Sequence, residues 1–193
     1  DGGGSYDSML NNCTLSGNSA VNGGGARGGT LNNCILSGNA ADDNGGGALS
    51  GILNDCTVTS NSAIYGGGAW GVTLTNCTLT GNSAYDGGGA HNSTLNNCKL
   101  TDNSANGDGG GAYDSTLNNC TLSSNSANNY GGGADDCTLN DCTITSNSAD
   151  RDGGGAYGST INYCTLTFNS ASWGGGGAYE SALNGCTVTS NSA

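Results

Sequence analysis

The sequence predicts an all-β fold: a parallel β-helix (solenoid) of about nine coils of 21–22 residues, forming one domain over residues 1–193 without distinct caps. Three observations predict it. A unit of about twenty residues, G-G-G-A, a variable stretch, L-N-N-C-T-L-T and G/S-N-S-A, is written nine times, and a unit that short closes a core only by burying its apolar side against the next copy. A glycine triplet recurs in each copy and would cost a helix about 1 kcal/mol per Gly relative to Ala. Within Cys77-Thr78-Leu79-Thr80 apolar and hydroxyl residues alternate, which is the period of a strand with Cys77 and Leu79 inward and both threonines outward.

The elements follow in order along one coil. Leu74 lies three residues before Cys77, so the inward parity breaks between them. A turn is placed at Thr75-Asn76, with equivalents at Asn11-Asn12 and Asn32-Asn33, because Asn suits bends. A second bend is placed at Asn82-Ser83. Asn recurs there in all nine copies, as Asn18, Asn39, Asn61, Asn82, Asn103, Asn125, Asn147, Asn169 and Asn191, and the column reads as a ladder whose amides hydrogen-bond along the stack. The segment between N-S-A and G-G-G is the outward loop, with two residues in Val21-Asn22, Ile64-Tyr65 and Tyr85-Asp86 and three in the others. Two bends and a loop give a three-sided coil, wound right-handed by the usual crossover preference. At ~4.8 Å per strand the rod is about 43 Å long.

Register comes from Cys13, Cys34, Cys56, Cys77, Cys98, Cys120, Cys142, Cys164 and Cys186, whose separations are 21 or 22 throughout. Neighbours in such a column sit near strand spacing, with Cβ atoms slightly too far apart for a disulfide. The column reads as a buried stack of thiols acting as small hydrophobes. Alternate-coil disulfides are the competing reading. A metal column needs convergent ligands, and only His91 offers imidazole. Cys137 is out of line and shares a coil with Cys142, the one possible intracoil pair.

Fifteen acidic residues stand against the three basic residues Arg27, Lys99 and Arg151. That balance argues against a nucleic-acid partner or an anionic membrane surface. No apolar run approaches the roughly 20 residues of a membrane span, so no insertion by this segment is expected. The chain opens at Asp1 without Met or a secretory signal, as a processed or excised piece would.

Gly67-Gly68-Ala69 and Leu79-Thr80-Gly81-Asn82, with equivalents over nearly the whole chain, pair G-G-A with a hydrophobic-x-x-N turn. This pattern resembles the polymorphic outer membrane protein repeats of bacterial surface proteins and, more broadly, the β-helix repeats of large secreted bacterial proteins. That family usually has Phe at the hydrophobic position, where this chain has Leu or, in other copies, Val58, Ile144 and Val188. The resemblance implies a surface-exposed β-helical passenger engaged in adhesion or in building a surface structure.

Three outward ladders compete for function. The position after G-G-G-A reads Tyr6, Arg27, Leu49, Trp70, His91, Tyr113, Asp135, Tyr157 and Tyr179. Its aromatic members are the possible surface-contact ladder, suited to sugar rings or a neighbouring filament, against a reading as stacking that only stiffens the sheet. The Thr-x-Thr rows, such as Thr78 and Thr80 or Thr165 and Thr167, resemble the ice-binding face of insect antifreeze β-helices, though Ile35 and Lys99 interrupt them and Thr is simply a good strand residue. Asp114, Asp136 and Asp135, with Asp86, Asp108, Asp150 and Asp152 in the loops, form an acidic ladder that suits Ca²⁺ or general acid/base chemistry, against a solvated face that keeps the rod soluble.

Neither terminal coil departs from the repeat, and an uncapped strand edge invites a further copy. The expectation is a non-catalytic extracellular or cell-surface structural or adhesive protein without a cofactor. Its partners would be itself, head to tail, and glycans or a host or neighbouring cell surface. A polysaccharide-active enzyme or carbohydrate-binding module and an ice-binding protein are the alternatives.

Overall fold

In the computed structural model, which describes residues 1–193, no helix forms and the chain winds as a parallel β-solenoid. One nine-stranded sheet runs the length of the rod from Thr14–Ser16 to Thr187–Thr189. Its strands pair in parallel and in register, with Leu79 opposite Val58 on one side and Leu100 on the other. This register follows from the fixed spacing of the inward residues, since a slip of one would turn Cys77 and Leu79 into water.

Each coil has four corners, not three sides. In the fourth coil Gly66, Gly71, Asn76 and Gly81 have φ of 65°, 62°, 55° and 62°, and the same five-residue spacing of left-handed residues recurs in every coil. The sixth coil carries one strand between each pair of corners: Ala112–Tyr113, Thr116–Asn118, Thr121–Ser123 and Ser126–Ala127. The corner at Gly71 was hidden because its column holds Asp, Gly, Ser, Asn and Glu by turns, from Asp7 to Glu180. Asn76 turns where expected, whereas the next corner falls on Gly81, one residue before Asn82. That shift matters, because it leaves Asn82 inside the coil, 0 % exposed.

The cross-section is uneven. Two faces carry Leu74, Cys77 and Leu79 inward, all at most 2 % exposed, and they form most of the continuous core. The faces beginning at Gly66 and Asn82 meet with almost no side chain between them. A Cβ on Gly67 would strike the Ser83 carbonyl oxygen, and one on Gly68 would come within 3.2 Å of the Asn82 amide carbon. The triplet therefore makes room for the asparagine column, while Gly66 supplies the left-handed turn.

Candidate functional site

The inward polar columns are consumed by the stack itself. Asn82 donates its Nδ2 to Asn103 Oδ1 at 3.0 Å and to the Val58 carbonyl at 2.9 Å, and its Oδ1 accepts from the backbone N–H and Nδ2 of Asn61. The same pattern links Asn18 through to Asn191. A second asparagine ladder, not anticipated from the sequence, lies at the end of the Thr-Leu-Asn strands, where Asn118 donates to Asn96 and Asn140 to Asn118, each at 2.9 Å. Its signal was the first Asn of L-N-N-C, which the turn reading absorbed.

All ten cysteines are free thiols, eight of them buried. Cys77 Sγ donates to the carbonyls of Thr75 and Leu53 and accepts the Cys56 N–H at 3.4 Å. Desolvation holds the Cys34 thiol above its ordinary value, so burial in the column favours the protonated form. Cys137 does not pair with Cys142. It sits in a serine column, accepting the Ser115 N–H and donating its own N–H to Ser159 Oγ, and burial pushes its thiol up.

The aromatic column is less outward than the repeat suggests. Trp70, His91, Tyr113 and Tyr157 are half-buried, whereas Tyr6 and Tyr179 are exposed. Ring faces turn toward one another along the axis: Trp70 and His91 lie 6.3 Å apart at 27°, and Tyr157 and Tyr179 5.7 Å apart at 7°. Loop residues close over them, Tyr65 edge-on to His91 and Tyr130 stacked on Tyr157 at 4.6 Å. Desolvation lowers the His91 pKa, and burial raises that of Tyr113 to about 12. Arg27 lies over Tyr6, and Arg151 lies between Tyr130 and Trp173.

The acidic residues divide. Asp114 and Asp136 are left-handed corners. Asp86 Oδ1 accepts the Asp108 N–H at 2.9 Å and Asp108 Oδ1 accepts the Tyr130 N–H at 3.1 Å, so these loop carboxylates tie one loop to the next. Asp135 is buried, contrary to its expected outward place, and desolvation with Asp108 and Asp136 nearby raises its pKa to about 8. No cluster of three His, Cys, Asp or Glu residues has the geometry to hold a metal ion.

Two surface features were not singled out in the sequence. A shallow hollow of about 230 Å³ opens beside Ile64 and Tyr85, where the Ser-Ala sheet lapses at Ser62. In the eighth coil Tyr163 and Phe168 occupy successive corners with φ of 54° and 57°. Bulky residues adopt that conformation at a cost of about 1–3 kcal/mol each, and both rings stay in solvent, 72 % and 67 % exposed.

These features define a class, the parallel β-solenoid repeat proteins. No protein-family model matches the chain, and no curated protein matches it. Among solved structures it is similar to the Dettilon tailspike protein at 12 % identity and a TM-score of 0.44, with 97 % of this chain covered and about half, 50 %, of the tailspike chain. QnrB1, a plasmid-mediated fluoroquinolone resistance protein, matches at 16 % identity and a TM-score of 0.35, over 96 % of this chain and 91 % of its own. HetL, a pentapeptide repeat protein involved in heterocyst differentiation regulation from the cyanobacterium Nostoc, matches at 10 % identity and a TM-score of 0.28, over 94 % and 83 %.

Proposed function

We propose that this chain is a non-catalytic structural rod of a bacterial surface, of the polymorphic outer membrane protein type, which holds an adhesive face away from the cell and extends by stacking coil on coil. The observation that supports it most is the use made of polar side chains. The asparagine, cysteine and serine columns and the Asp86 and Asp108 carboxylates all bond along the axis, to the coil above or below. Groups so used stiffen a rod and are not free to converge on a substrate.

Electron microscopy and sedimentation of the purified chain test this reading. Rods of uniform width whose length grows with concentration are expected. Discrete globular particles at all concentrations would count against stacking, and hydrolysis or elimination of a polysaccharide by the chain would count against the non-catalytic role.

A further inference from the structure

The Thr-x-Thr sheet is bounded along its two edges by corner columns. One reads Asn12, Asn33, Asp55, Asn76, Asn97, Asn119, Asp141, Tyr163 and Gly185, and the other Gly17, Gly38, Ser60, Gly81, Asp102, Ser124, Ser146, Phe168 and Ser190. Only in the eighth coil do both corners carry rings, and they flank one strand, Thr165–Thr167. Unlike the members of the Trp70 to Tyr179 column, Tyr163 and Phe168 stack on no other aromatic ring. Tyr163 instead leans toward the ninth coil, where Gly185 leaves it room: a Cβ there would meet the ring at 2.8 Å. Between the rings the sheet shows hydroxyl groups at strand spacing, Thr143 and Thr145 below and Thr187 and Thr189 above, with Thr145 and Thr167 hydroxyls 3.2 Å apart.

From this arrangement we infer that the eighth coil binds a neutral, extended glycan, laid on the Thr165–Thr167 strand between Tyr163 and Phe168. The inference rests on the adhesive reading above and names its partner. A pyranose ring offers a C–H face to an aromatic ring and equatorial hydroxyls to the Thr hydroxyls between the two rings. The two corner rings are separated by a polar strand, so they lack the contiguous apolar centre that protein partners use. The formal net charge of −12 disfavours uronate or sulfated chains, and the nearest ionisable corner, Asp141, would add to that repulsion.

The corner columns themselves supply the test. Tyr163→Asn and Phe168→Ser install residues that other coils carry at the same corners, so they relieve left-handed strain and should keep or raise the melting temperature. The probes are microcrystalline cellulose, chitin and a soluble neutral β-glucan, with polygalacturonate as the anionic comparison. Expected are retention of the native chain on at least one neutral polymer, none on polygalacturonate, and at least a tenfold weaker retention of the double variant. No retention of the native chain on any neutral polymer, or equal retention of the double variant, would overturn the inference. Rods that form normally but hold no glycan would overturn it while leaving the structural role intact.

Discussion

The side-chain amide and the backbone amide of Asn82 both donate to one atom, Oδ1 of Asn103, at 3.0 Å each. This two-pronged contact spans 21 residues of sequence and one coil of the rod, and it recurs from coil to coil along the stack. Its energetic weight comes from burial, because a buried donor or acceptor left unmet costs about 1–3 kcal/mol.

Asn82→Leu should therefore lower the melting temperature far more than Asn96→Ala. The first change orphans the Asn61 backbone N–H and strips the Asn61 side-chain amide and the Val58 carbonyl of one partner each inside the coil, whereas Asn96 is half-buried and water can take over its bonds. Equal melting temperatures of the two variants by circular dichroism would contradict the ladder's structural weight.

Leu79 is 0 % exposed and its neighbour Thr78 faces out beside Thr57 and Lys99. Leu79→Asp places a carboxylate in the core with no basic partner and should cost several kcal/mol or prevent folding. Thr78→Asp should stay within about 0.5 kcal/mol of the native chain. Thermal unfolding of the pair reads this directly.

Thiol titration should count few reactive groups on the native chain and ten after denaturation without reductant, since all ten cysteines are free. A denatured count near two would show alternate coils cross-linked instead.

Asp135 supplies a pH dependence. Its folded pKa of about 8 lies above its unfolded value, so between about pH 4 and pH 8 the unfolded chain has lost a proton that the folded chain keeps. Stability from this residue thus falls as pH rises through that window and levels off above it. Asp135→Asn should remove the slope, raising the melting temperature at pH 8 more than at pH 4.

Much of this was legible in the sequence. Strict spacing of Cys13 through Cys186 fixed both the coil length and the inward parity, because both are properties of a period. The number of corners was not legible. A left-handed corner accepts Gly, Asn, Asp or Ser alike, so the column from Asp7 to Glu180 holds no constant residue although it keeps a constant φ. The burial of Asp135 was hidden for a different reason: a position that is outward in parity becomes covered when its neighbours along the ladder are large, here Tyr113 on one side and Tyr157 on the other. Tyr163 and Phe168 escaped notice because they break the repeat in a single copy.

The two asparagine ladders run in opposite senses. In the inner one each amide reaches toward the C-terminal coil, Asn82 to Asn103, and in the outer one toward the N-terminal coil, Asn118 to Asn96. The side-chain amide dipoles of the two ladders therefore point opposite ways along the axis. Yet each coil is marked with a direction: one flank offers the Oδ1 of an inner Asn and the Nδ2 of an outer Asn, and the opposite flank offers the reverse. A coil laid down the same way up completes both series, while an inverted one brings oxygen against oxygen, so growth of such a rod carries a built-in arrow.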